Sequence, residues 1–208
     1  MKIGSTVGLV LAAATAAAQG GWVPPRLATA QVGAAPWNAV SGGIAAYEVS
    51  LDETGAVAGA RIVQDLPPFG ALLGEAIRSW RFEPAREGGR AVASRVLALG
   101  LFRPPALLFT APANPRYRDA DAPEEIPWPT AVVVPPYPPN AVGSGKVILE
   151  TDVSSRGAVT GVRILSGPTA FDGAATDTAR QWTFRPAARG RQPVESRAVL
   201  VFSFVAPS

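Results

Sequence analysis

The chain states one module twice, and that repetition limits what it can fold into. Displaced by 102 positions, Asn38-Ala39-Val40 falls on Asn140-Ala141-Val142, Gly55-Ala56-Val57 on Gly157-Ala158-Val159, and Arg61-Ile62 on Arg163-Ile164. The match runs on without a gap through Phe69 and Phe171, Arg78 and Arg180, Trp80 to Ala85 against Trp182 to Ala187, and Ser94-Arg95 against Ser196-Arg197. A period this long exceeds the units of solenoids and propellers and matches one small domain. With 208 residues, 48% hydrophobic and 17% charged, two compact cores can form, and a wholly disordered chain is excluded.

Within each copy the hydrophobic period changes in the order strand, strand, helix, strand. Val147, Leu149 and Val153 alternate with Lys146, Glu150 and Asp152, as Ala45, Tyr47, Val49 and Leu51 alternate in the first copy, which predicts half-buried strands. Asp52-Glu53-Thr54-Gly55 and Ser154-Ser155-Arg156-Gly157 are turn sequences leading to second strands at 57–64 and 159–166. Phe69, Leu72, Leu73, Ala76, Ile77 and Trp80 then follow helical spacing, as do Phe171, Ala174, Ala175, Thr178, Ala179 and Trp182. Thr169 with Asp172 predicts a cap for the second helix, and Pro84 and Pro186 prevent continuation. Gly88-Gly89 and Arg189-Gly190 mark turns before last strands at roughly 92–102 and 194–205. The expected class is α+β: two tandem small domains, each an antiparallel sheet of about three strands packed on one helix. Both faces of the last strands are apolar, so something besides the helix must cover them: the linker, the sister module or a partner.

The N-terminus carries Lys2, an apolar stretch from Ile3 to Ala14 and the small residues Ala16-Ala17-Ala18, which predicts a signal peptide over 1–18 with cleavage after Ala18. An uncleaved anchor is the alternative, although the stretch is shorter than a spanning helix requires. Secretion across a membrane follows from the first reading. Residues 104–134 read as a proline-rich linker, semi-rigid and extended, between domains at 35–103 and 135–208. Leu107-Leu108-Phe109 and Ile126-Pro127-Trp128 are too apolar for an idle tether and predict anchoring.

Charge and chemistry exclude more than they assign. The net charge of +3 is small; Arg185, Arg189, Arg191 and Arg197 form a basic group suited either to an acidic peptide or to a solvated rim. No aromatic-interleaved basic run accompanies them, so nucleic acid is not an expected partner. The chain has no His and no Cys, which removes the common general base, the thiol nucleophile, thiolate metal sites and disulfides. Gly143-Ser144-Gly145-Lys146 lacks the Gly at 140 and the Ser or Thr at 147 of a phosphate loop. Asp172 and Asp177 point apart on a helix, and Trp80 and Trp182 read as core. No catalytic residue, metal site or small-molecule cofactor is expected.

The ordered set Tyr137-Pro138, Ala141, Gly145-Lys146-Val147, Gly157-Ala158-Val159, Ser166-Gly167, Phe171-Asp172-Gly173-Ala174-Ala175 and Trp182-Thr183-Phe184-Arg185-Pro186-Ala187 resembles the C-terminal domain of the TonB family over nearly all of 135–206. The first copy resembles a diverged version, keeping Trp80, Phe82, Pro84 and Ala85 but carrying Ala35-Pro36 and Leu66-Pro67-Pro68 in place of the motifs. The resemblance implies a periplasmic domain that grips a peptide segment of an outer-membrane receptor or transporter by adding it beside the last strand. The implied partner-binding residues are Glu195, Arg197, Val199, Val201 and Ser203, with Tyr137 and Pro138 nearby. Pairing of the two modules through those edges, or a homodimer, is the competing arrangement. An energy transducer of this family would need an uncleaved anchor bearing a histidine and a long spacer across the periplasm; the chain lacks histidine and has its proline-rich stretch between the modules. The expectation is a periplasmic binding or scaffolding protein, with a transducer and an internally paired structural protein as alternatives.

Overall fold

A computed structural model describes residues 21–34, 42–103 and 122–206. The expected signal peptide at 1–18, Ala35-Pro36, Asn38-Ala39-Val40 and Leu107-Leu108-Phe109 lie outside the described residues. The first half contains β1 (Arg26–Thr29), β2 (Gly43–Leu51), β3 (Val57–Gln64), α1 (Phe69–Ile77), β4 (Arg81–Glu83), β5 (Ala85–Glu87), β6 (Arg90–Val92) and β7 (Ser94–Phe102). The second half repeats the order with β8 (Trp128–Ala131), β9 (Gly145–Val153), β10 (Val159–Ser166), α2 (Asp172–Arg180), β11 (Thr183–Arg185), β12 (Ala187–Arg189), β13 (Gln192–Val194) and β14 (Ser196–Phe204).

The long strands form where period-two runs meet turns whose backbone needs glycine. Gly55 and Gly157 have φ of 83° and 82°. A Cβ at either place would come within 1.9 Å and 1.7 Å of the carbonyl oxygens of Phe82 and Phe184. The amides of those phenylalanines donate back to the glycine carbonyls at 3.0 Å and 2.8 Å, tying each hairpin tip to the strand after the helix. Asp52 closes the first turn by accepting from the Thr54 hydroxyl and amide at 2.6 Å and 2.8 Å and from the Ala56 amide at 3.0 Å. In the second turn the Ser154 hydroxyl accepts from the Ala158 amide at 3.1 Å.

Each helix buries one stripe, Phe69, Leu73 and Ile77 in α1 and Ala175, Thr178 and Ala179 in α2. The expected Thr169 cap does not form: Thr169–Phe171 is a 3-10 turn, and no side chain caps α2. Trp80 and Trp182 sit just beyond their helices, fully buried. Their indole N–H groups donate to the carbonyls of Gln31 at 3.0 Å and Val133 at 2.9 Å, which fixes the segment that leads into each half. Those leading segments also supply β1, which pairs antiparallel with β4, and β8, which pairs with β11.

The two halves do not build separate sheets. One six-stranded sheet runs in the order β10-β9-β14-β7-β2-β3. Its centre is a parallel pairing of the two last strands, with Ala198 opposite Leu97 and Phe202 opposite Leu101. Because successive residues of a strand face opposite sides, this arrangement sorts the apolar residues into two cores. Ala45, Tyr47, Val49, Val96 and Ala98 pack with α1, together with Ile148, Val199 and Val201 from the other half. Ile44, Ala46, Leu97, Leu99 and Leu101 instead join the core around α2 with Val147, Leu149, Leu200 and Phe202. The helices therefore lie on opposite faces, and each covers residues contributed by both halves. The areas the helices leave are covered by the leading segments, through Leu27 on one face and Ile126, Trp128 and Val132 on the other. The double apolarity of the last strands is thus accounted for by the sister half and by the two leading segments, of which only the second falls in the stretch read from sequence as linker.

Coverage on both faces also overturns the expectation that Glu150 stands on a solvated side of its strand. Glu150 and its counterpart Glu48 are each 4% exposed. A buried carboxylate needs a cation and hydrogen bonds: Arg163 meets Glu150 at 2.8 Å, while Arg61 and Arg95 meet Glu48 at 2.6 Å and 2.9 Å.

Since the halves share both cores, urea unfolding is expected as a single transition reported alike by tryptophan fluorescence and far-ultraviolet circular dichroism. Leu99→Ala should shift that whole transition by about 2–5 kcal/mol, whereas separable halves would give two steps with only one moved. Gly157→Ala, which forces a side chain into the left-handed region against a backbone oxygen, should cost about 2 kcal/mol or more in the same measurement. Tyr47 donates to the Gly70 carbonyl at 2.9 Å. Burial, reinforced by Asp65, raises its phenol above the ordinary value of 10.0. The unfolded phenol then ionises first, so stability is full below that value and lost as pH climbs through the raised one. Tyr47→Phe should flatten this alkaline fall in a pH series of melting temperatures.

Candidate functional site

The last strand of the second half, where sequence reasoning placed the docking edge, has no open side along its centre. From Ala198 to Phe202 it bonds to β7 on one side, and from Ser196 to Phe204 to β9 on the other. Val199 and Val201 are fully buried in the core that includes α1. Ser203 accepts the Arg103 amide at 2.7 Å, a bond between the halves. Glu195 offers its carbonyl to the Trp22 indole at 2.9 Å, and Arg197 binds Asp152 at 2.7 Å and the Pro24 carbonyl at 2.9 Å. Tyr137 donates to the Gly143 carbonyl at 2.6 Å and meets the edge of Phe171, while Pro138 forms a turn with the Ala141 amide. The seven residues therefore do not form one docking strip. In this fold the expected edge is occupied by the sister strand, as the competing arrangement in the sequence reading allowed.

Pairing the last strands moves the free edges of the sheet outward, to β3 and β10. Both edge strands have irregular register near their ends, at Leu51 and Tyr47 opposite β3 and between Val159/Gly161 and Ile164/Ser166 in β10. Such bulges twist an edge and discourage indiscriminate pairing. Beside β3 the surface carries a groove of about 640 Å³ bounded by Val57, Ala60 and Ile62 on the strand and Ala71, Gly74 and Arg78 on α1. Tyr47 lies at this groove, and Gly74 leaves room for its ring: a Cβ there would approach the phenol oxygen to 2.4 Å. Ile62 is 40% exposed, one of few large apolar side chains left in solvent among the described residues. An edge strand next to a helix and a shallow groove is the geometry that admits an extended peptide as an added strand, its main chain on the edge and alternate side chains in the groove.

The basic group read from sequence turns inward. Arg185 donates to the Ala122 and Pro123 carbonyls at 3.3 Å and 3.1 Å, and Arg189 stacks over Trp22 at 4.0 Å while meeting Glu87 at 3.3 Å. With Arg197 on Pro24, three of the four arginines hold leading segments in place; Arg191 sits in the β12–β13 turn with φ of 68°. Sequence reasoning missed the Glu48–Arg61 and Glu150–Arg163 pairs, although both repeat at the 102-residue displacement and that recurrence was the available signal. Among the described residues no group of three or more His, Cys, Asp or Glu could hold a metal ion, and no helix is long and apolar enough to cross a membrane.

No curated protein matches the chain. Residues 133–206, about a third of the sequence and nearly the whole second half, match the family described as the Gram-negative bacterial TonB protein C-terminal. The match begins beside Val133, whose carbonyl receives the Trp182 indole, and ends just past β14. The second half of this chain is accordingly similar to the TonB C-terminal domain over residues 133–206.

Proposed function

We propose that this is a periplasmic, non-enzymatic binding protein that captures an extended peptide segment of outer-membrane transport machinery by strand addition. The two halves descend from one duplicated module, and the exported form begins after Ala18. The domain match at 133–206 supports the envelope setting and the transport-related partner. The observation that carries the site is the outward shift of the edges: with the last strands spent on each other, β3 and its groove against α1 offer an edge beside a helix. Peptide capture therefore moves from the second half's last strand to the first half's hairpin.

A structural role, with the central seam serving only to join the halves, is the second reading, and the fully paired last strands favour it. Backbone amide spectra of isotopically labelled protein separate the two. The probe is a synthetic ten-residue peptide from the periplasm-facing N-terminal segment of a TonB-dependent transporter. Saturable shifts confined to 57–64 and the exposed face of α1 are expected. Ala71→Arg, which fills the groove from an exposed position, should abolish them while changing the free protein's spectrum only around position 71. Shifts centred on β7 and β14 would return the site to the last strands. No shift at all would leave the structural role.

A further inference from the structure

The second half already holds an extended peptide, and it belongs to this chain. Residues Trp22 to Leu27, reading Trp-Val-Pro-Pro-Arg-Leu, cross the face of the sheet that α2 does not cover. Side chains of the second half address the segment's main chain. Glu150 accepts the Leu27 amide at 2.6 Å, Arg163 donates to the Leu27 carbonyl, and Arg197 donates to the Pro24 carbonyl at 2.9 Å and the Pro25 carbonyl at 3.4 Å. At the segment's start the Trp22 indole donates to the Glu195 carbonyl while Arg189 covers its ring. Pro24, Pro25 and Leu27 are buried.

We propose that Glu150, Arg163, Arg197 and Glu195 form a receptor site for an extended aromatic-x-Pro-Pro-x-aliphatic peptide, occupied in the isolated protein by Trp22–Leu27 and open to a partner segment of the same pattern. The segment also pairs with β4 through Arg26 and Leu27 and with Arg86 through Val23, and three further features mark the site as a receptor for it. The recognition is aimed at main-chain groups and at prolines, which enter an extended conformation at little entropic cost. It is also not shared by the other half: Pro129 stands where Leu27 does in the repeat and has no amide to give, and Glu48 is held by two arginines instead. Finally, the resident segment fills the site incompletely. It forms one wall of a cleft of about 460 Å³ between the starts of β7 and β14, lined also by Ser94, Arg95 and Ser196. The hydroxyls of Ser94 and Ser196, residues only 8% exposed, have no partner there. Buried polar atoms left in that state favour an occupant that can satisfy them.

This site is independent of the β3 edge, so either can fail without the other. The test uses the full chain with a protease recognition sequence inserted after the exposed Ala34. After folding and cleavage the N-terminal fragment is held by contacts alone. A fluorescent synthetic peptide of residues 21–34 is then added and followed by anisotropy, with amide hydrogen exchange of β9 and β14 as the measure of the fold. The expected result is saturable replacement of the fragment with those strands still protected. A peptide N-methylated at Leu27, in which a methyl group replaces the hydrogen taken by Glu150, should bind about tenfold or more weakly. Leu27→Asp in the peptide should not bind, and Arg163→Met in the protein should weaken the unmodified peptide. Failure of the labelled peptide to enter, equal binding of the N-methylated peptide, or loss of protection in β9 and β14 on cleavage would each overturn the proposal.

Discussion

Everything in this molecule depends on the parallel contact of Leu97–Leu101 with Ala198–Phe202. That pairing sets Ala198 opposite Leu97, one position off its repeat counterpart Val96, so equivalent residues of the two strands face opposite sides of the sheet. The helices must then fall on opposite faces, and the residues each half leaves bare must be covered by something from elsewhere in the chain. The cores mix residues from both halves for that reason, and the segments ahead of each half become part of the fold. A hydrophobic strand buried on both faces is the usual signature of a parallel sheet with two covering layers. Here it arises from two antiparallel three-strand units joined at their last strands.

The seam also redistributes what is available for binding. A sheet has two edges however many strands it contains, and joining two sheets removes one from each. The edge adjoining the last strand of the matched domain is consumed, and those of the two hairpins remain. Arginines that look like a basic surface in the sequence become fasteners, since the carbonyls of the leading segments need donors and face Arg185 and Arg197.

Much of the secondary structure was legible. The hairpin strands at 57–64 and 159–166, the helical stripes and the glycine turns follow from period, turn chemistry and repetition. The short strands β1, β4, β8 and β11 were not, because three- and four-residue strands carry too little periodicity to register. Nor was the site legible from local pattern. Alternation correctly put Glu150 opposite Val147 and Leu149, but it cannot say that a proline-bearing segment more than a hundred residues earlier covers that side. Glu195 and Arg197 were singled out for an edge and act through a carbonyl and a guanidinium on a face. The apolar character of Ile126-Pro127-Trp128 did signal burial, since Ile126 and Trp128 enter the core around α2.

The leading segments have a further consequence for how the protein responds to its own abundance. Two separate copies meeting through their last strands would associate according to concentration, and dilution would part them. Covalent connection of the halves replaces that encounter with a fixed effective concentration set by the connecting chain. The same holds for Trp22–Leu27, which the chain joins to β2 with Gly43 only sixteen positions beyond Leu27. An outside peptide competes with an occupant that never diffuses away, so only a ligand present in excess or able to engage Ser94 and Ser196 displaces it. The tether sets a threshold for occupancy that does not change with the amount of protein made.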